Sequence, residues 1–270
     1  MTKLREYVKN EKEVKIVSEV REEYVKSYRD FLIKEGKIEE GKIIVDIPCG
    51  TGDMARDIAD KIKVERFVLI DINETMVQSA KNNIANTLCF TADAGDIGEK
   101  IDFKVDTILC LNGFHQYFDR KEDFLKSCAK ILKKSGRLVF DISTRGLYDE
   151  YTRKFFQYQK EEAINLSKKQ GVTAQLPAWP DKKTLEKYHS MVLESGLSLI
   201  DTIEFTTVKT VDQILFDAVT IPGRSRPWIP GLNYSQRKDI LTTSIDSAVK
   251  RLGKHPIEHN RIFFICEKTN

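Results

Sequence analysis

The 270-residue chain is predicted to be an α/β protein built on a parallel sheet with helices on both faces. Three observations predict it. Short β-branched apolar runs alternate with longer amphipathic segments, the order that builds a parallel sheet. Three successive apolar runs end at an acid, at Asp46, Asp71 and Asp93. The first of them leads into Pro48-Cys49-Gly50-Thr51-Gly52, a turn that opens a helical segment. Glycines at such a strand-to-helix turn let the backbone pass close to a ligand.

Each element follows from its pattern. Residues 12–35 carry Val17, Val20, Tyr24, Tyr28 and Phe31 at three- and four-residue spacing, the apolar stripe of a charged helix. Gly36 and Gly41 bracket its exit. Strands are read near 43–47, 66–71, 87–91, 105–111 and 136–142, with helices near 52–62, 73–86 and 121–133. Asp119 is placed as the N-cap of the helix that begins near Lys121. Lys126, Lys130, Lys133 and Lys134 form the solvated face of that helix, and Ser135-Gly136 closes it.

The second half is less regular. Residues 145–170 read as an aromatic, charged helix containing Tyr148 and Tyr151. Gly171 and Pro177-Ala178-Trp179-Pro180 interrupt the pattern. Helices near 182–194, 211–219 and 234–251 and strands near 198–207 and 261–267 complete the chain, with a proline-stiffened loop over 222–231. Pro256 breaks the turn between His255 and His259, so both histidines read as loop residues and no metal site is expected.

Composition narrows the class. Hydrophobic residues are 41% and charged residues 31%, as in globular domains. A net charge of +3, from 44 basic and 41 acidic residues, argues against a protein devoted to nucleic acid. No apolar run reaches membrane-spanning length, and the N-terminus lacks the hydrophobic segment of a signal peptide. Five irregularly spaced cysteines, Cys49, Cys89, Cys110, Cys128 and Cys266, read as thiols of a reducing cytoplasm.

The acids and glycines point to a nucleoside cofactor. Asp71 lies 21 residues after Gly50, at the tip of the neighbouring strand, where it can accept hydrogen bonds from ribose hydroxyls. Gly50-Thr51-Gly52-Asp53-Met54-Ala55 also satisfies the fingerprint of NAD-dependent dehydrogenases. Asp46 discriminates: a carboxylate four positions before Gly50 repels a pyrophosphate and attracts a cationic methionine group.

The stretch from Asp46 to Gly52 resembles motif I of the class I S-adenosylmethionine (SAM) methyltransferases, an acid-x-Gly-x-Gly-x-Gly loop, with Pro48 in place of the first glycine. Proline fixes φ and removes an amide donor at that position. Glu186-Lys187-Tyr188, Glu194-Ser195-Gly196-Leu197, Ile203-Glu204 and Arg226-Pro227-Trp228 resemble the C-terminal half of trans-aconitate methyltransferase and its small-molecule relatives. The resemblance implies one Rossmann-like, seven-stranded methyltransferase domain over 1–270. Its N-terminal helical cap is residues 1–40, and its helical lid insertions are 145–195 and 209–255. It implies SAM as cofactor, contacted by Asp46, Cys49, Gly50, Gly52, Asp71, Ile72, Asp93, Ala94, Leu111 and Asn112.

The acceptor end is drawn from the same resemblance. His115 faces the substrate as a candidate catalytic residue, or else starts a helix and bonds nearby backbone. Tyr117, Arg224, Arg226 and Trp228 are candidate substrate contacts, the arginines as planar clamps for a carboxylate or else as surface residues. The expected function is methyl transfer to a small molecule, either a carboxylic acid or a natural-product oxygen, nitrogen or carbon nucleophile. A SAM-binding protein without transfer activity and an NAD-dependent oxidoreductase are the alternatives. A cytoplasmic monomer or homodimer with no nucleic-acid or membrane partner is expected.

Overall fold

The computed structural model describes residues 11–144, 149–175, 182–220, 225 and 228–269. Seven strands form one sheet: β1 (Ile43–Asp46), β2 (Arg66–Asp71), β3 (Thr87–Thr91), β4 (Val105–Cys110), β5 (Leu132–Ser143), β6 (Leu197–Lys209) and β7 (Ile257–Lys268). Their order is β3-β2-β1-β4-β5-β7-β6. Strands β1 to β5 pair in parallel, with Ile44 beside Phe67 on one side and Thr107 on the other. The order reverses between β1 and β4, the switch point at which open α/β sheets bind ligands.

The helices are α1 (Glu11–Lys34), α2 (Asp53–Ala59), α3 (Glu74–Asn83), α4 (Ile97–Lys100), α5 (Lys121–Ile131), α6 (Glu150–Lys169), α7 (Lys182–Glu194), α8 (Val211–Thr220) and α9 (Tyr234–Leu252). The chain divides into two compact units. The sheet unit comprises the described residues of 10–142, 183–203 and 262–270. The helical unit comprises those of 143–182 and 204–261.

In the sheet unit, strands buried on both faces read as continuous apolar runs, and Ile44, Val45, Val68, Leu69, Ile108 and Leu109 are fully buried. Phe114 and Phe264 flank Phe140, with ring centroids 4.4 and 4.8 Å from it. The predicted stripe of α1 packs through Tyr28 and Phe31, each 5.4 Å from Phe263. Arg29, on the same helix, reaches Asp57 of α2 at 2.7 Å in a buried ion pair. In the helical unit, Phe155 and Phe156 of α6 pack with Ile214 of α8, Ile245 and Ala248 of α9, and Ile257. Asn233 caps α9 through a reciprocal pair with Gln236.

Three expected boundaries differ. Helix α5 ends at Ile131, and β5 begins at Leu132 instead of 136, because Leu132 pairs with Val105 and Lys133 bonds Asp106 at 2.8 Å. Asp119 is not the N-cap of α5: a 3-10 segment, Phe114–Arg120, runs into the helix, and Arg120 holds the cap position without a side-chain cap bond. Strand β7 begins at Ile257, so His259 is a buried strand residue. Four consecutive polar residues, Glu258 to Arg261, hide the start of that strand from a search for apolar runs. The Thr152 hydroxyl, which accepts from the Glu258 amide at 3.1 Å, helps hold it in place.

Candidate active site

The residues that the sequence assigns to the cofactor lie in the sheet unit, at the carboxyl ends of β1 to β4. The turn after β1 is pinned to both neighbours: the Ile47 amide donates to the Leu109 carbonyl at 2.9 Å and the Cys49 amide to the Ile70 carbonyl at 2.8 Å. Gly50 and Gly52 adopt φ of 55° and 79°, a left-handed backbone that favours glycine. The Asn83 side chain, at the end of α3, donates to the Thr51 carbonyl at 3.0 Å.

Asp71 ties the turn to β2. Its Oδ2 accepts from the Gly50 amide at 3.0 Å and its Oδ1 from the Asn73 amide at 2.9 Å. Ile72 follows directly, and Asn73 caps α3 by accepting from the Thr75 and Met76 amides. After β3, Asp93 accepts from the Gly95 amide at 3.0 Å, with Ala94 buried between them. After β4, Leu111 is buried and Asn112 has φ 56°. The Asn112 amide donates to Asp141 on β5.

Pro48, the departure from the glycine pattern, has a matching partner. The Ile47–Pro48 peptide is cis, and the proline ring lies against Gly113. A Cβ at Gly113 would sit 2.8 Å from Pro48 Cγ and nearer still to Cδ. Glycine after β4 therefore makes room for proline after β1.

Buried carboxylates dominate the electrostatics. Asp46, Asp53, Asp57 and Asp71 are all buried around the turn. Burial pushes the Cys49 thiol well up, and the Asp71 and Asp46 carboxylates push it further, so it is no nucleophile at neutral pH. Asp53 fills the first turn of α2, bonded to the Thr51 hydroxyl and paired with Arg56 at 2.9 Å. A pyrophosphate would need those helix amides and would meet this carboxylate. A cationic sulfonium is favoured by the same field. The donor set therefore fits SAM and does not fit a dinucleotide.

The acceptor-side candidates separate. His115 is exposed, in the first turn of the 3-10 segment. Tyr117 turns inward: its hydroxyl lies 3.4 Å from Cys110 Sγ and its ring packs 4.8 Å from Phe124. Trp228 belongs to the helical unit, where it packs with Ile229 and Ile240. Arg224 and Arg226, like Tyr148 and Trp179, lie outside the described residues. Sequence reasoning passed over Asp141, although it too is an acid near the end of a strand. It also passed over Arg120, whose role depends on contacts remote in sequence.

The fold and this acid-rich, glycine-turned edge define an α/β protein that binds a cationic nucleoside cofactor. Residues 44–136 match the family model of a methyltransferase domain. The ubiquinone/menaquinone biosynthesis C-methyltransferase UbiE of Ectopseudomonas mendocina is 27% identical over 191 residues, which cover 64% of this chain and 72% of that protein. A Bacillus halodurans structure provisionally described as a methyltransferase covers 90% of this chain and all of its own, with TM-score 0.61 and 15% identity. A Haemonchus contortus phosphoethanolamine N-methyltransferase, solved with S-adenosylhomocysteine, covers 90% of this chain and 53% of its own, with TM-score 0.51 and 15% identity. The two structures speak for the fold alone.

The protein is an enzyme, a SAM-dependent methyltransferase. Among the described residues, no helix is long and apolar enough to cross a membrane.

Proposed function

We propose that Asp46 and the Gly50–Gly52 turn hold the methionine end of SAM, that Asp71 takes the ribose, and that Asp93 and Ala94 take the base. Leu111 and Asn112 border the methyl-donor end in this reading. The supporting observation is the pair of buried carboxylates, Asp46 and Asp71, at the ends of β1 and β2, which add to the upward push that burial gives the Cys49 thiol. Asp71 already accepts two amides, and a carboxylate has further lone pairs for ribose hydroxyls. SAM supplies a methyl group already activated on sulfur. What remains for the protein is to orient the acceptor and exclude water. Calorimetric titration with SAM, S-adenosylhomocysteine and NAD tests the reading; binding of NAD alone overturns it.

For the acceptor, we infer a small molecule that brings its own nucleophile, as a carboxylate oxygen or an electron-rich carbon does. Behind the end of β4, burial raises the Tyr117 phenol and the Cys110 thiol well above neutrality, so neither serves as a base there. The trans-aconitate-like pattern around Arg226 supports a carboxylate. The C-methyltransferase relatives support carbon. A phenol or amine acceptor is the second reading, supported by the exposed imidazole of His115 two residues after Gly113. In that case His115→Ala lowers turnover while S-adenosylhomocysteine affinity is kept. Acceptor pools screened for a gain of one methyl mass identify the substrate on which to measure this.

A further inference from the structure

The structure assigns Arg120 a positioning role: it locks the turn at the end of β3 to the segment that follows β4, keeping two stretches of the cofactor edge in register. The inference rests on the reading that Asp93 and Ala94 belong to that edge. Arg120 closes the 3-10 segment that begins at Phe114, directly after Gly113. Its Nη2 meets Asp96 at 2.6 Å, its Nε meets Asp123 at 2.6 Å, and its Nη1 lies 3.7 Å from Asp93. Asp93 and Asp96 bracket the turn after β3, whereas Asp123 lies on α5. One planar guanidinium thus spans both sides, donating to Asp96 and Asp123 with Asp93 within ion-pair range.

Gly95 completes the device. The guanidinium lies flat against it, so that a Cβ there would sit 2.8 Å from Arg120 Cζ and 2.9 Å from Nε. The Gly95 amide donates to Asp93 and its carbonyl accepts from the Ser127 hydroxyl of α5 at 2.7 Å. At its other end the 3-10 segment is anchored by Phe114, fully buried among Phe124, Phe140 and Tyr188. A shift of Arg120 would release Asp96 from the segment after β4 and leave Asp93 held by the Gly95 amide alone, without disturbing that core.

Arg120→Met, Gly95→Ala, their double variant and Asp93→Ala, each titrated calorimetrically with S-adenosylhomocysteine, test the role. Gly95→Ala displaces only the mobile end of a side chain, so this variant keeps its fold. Arg120→Met and Gly95→Ala should each weaken binding about tenfold, within the range for coupled neighbours. The double variant should be no weaker than Arg120→Met, because both changes remove the same contact. Additive losses would mean two unrelated defects and overturn the role. An effect of Asp93→Ala with none of Arg120→Met overturns the positioning role and leaves the cofactor reading standing. No effect of Asp93→Ala overturns the cofactor reading at this strand, and the inference with it.

Discussion

Gly113→Ala is the sharpest test of how the cofactor turn is held. Gly113 has φ −115°, which any residue adopts, so the substitution carries no backbone strain and acts by volume alone. The added Cβ falls inside the van der Waals envelope of the Pro48 ring, with Cγ at 2.8 Å and Cδ closer. Ordinary carbon contacts lie at roughly 3.5–4.0 Å, so one of the two must move by about an ångström. Neither moves freely. Pro48 lies between amides bonded to Leu109 and Ile70, and Gly113 precedes the buried Phe114. Forcing an extra methyl into a packed site costs about 1–3 kcal/mol. If the turn yields, that energy is taken from ligand binding, and 1.4 kcal/mol is tenfold, so S-adenosylhomocysteine affinity should drop about five- to a hundredfold. Calorimetric titration and a thermal melt of the same sample measure both parts. An alanine variant with unchanged affinity and unchanged melting would refute the argument that Gly113 makes room for Pro48.

Asp71→Asn replaces one acceptor oxygen with a donor, so either the Gly50 or the Asn73 amide loses its acceptor and the other keeps only a neutral one, at a cost of about 1.5–3 kcal/mol. Because Asp71 braces the turn as well as facing the ligand, both stability and S-adenosylhomocysteine affinity should fall, and a loss of neither would misplace it. Burial alone would raise the Asp106 carboxyl, but the Lys133 bond and the Ile43 amide outweigh it and hold it below the usual carboxylate range. A lowered folded value means stability that is present above the unfolded value near pH 4 and lost as pH falls through the folded one. Asp106→Asn should therefore cost about 0.5–1 kcal/mol at pH 7, since Lys133 is half-exposed, and nothing in strong acid; urea melts at several pH values check this. Cys49, buried and pushed up by Asp71 and Asp46, should alkylate with iodoacetamide far more slowly than half-buried Cys89, as read by peptide mass spectrometry.

Periodicity and strand-end acids alone determined the α/β class, the approximate places of the seven strands, with β5 and β7 starting four residues earlier than read, and the glycine turn after β1. These are legible because they are local: a buried parallel strand must be apolar along its length, and a turn that meets a ligand needs glycine. Asp46 separated a sulfonium from a pyrophosphate for the same reason, since the sign of a charge is a property of the residue itself. Tertiary structure decided what depends on partners far along the chain. Pro48 reads as a defect in the glycine pattern until Gly113 is beside it. Asp71 reads only as a ribose ligand, and the Gly50 amide on its Oδ2 adds a second task, bracing the turn. Tyr117 reads as a candidate substrate contact, and the fold sets its hydroxyl beside Cys110; His259 reads as a loop residue, yet it lies in β7. Arg120 carries no sequence signal because its carboxylates and Gly95 are gathered from two elements, the turn after β3 and α5. A side chain's type is written in the sequence, but its partners are set by which strands and helices the fold places side by side.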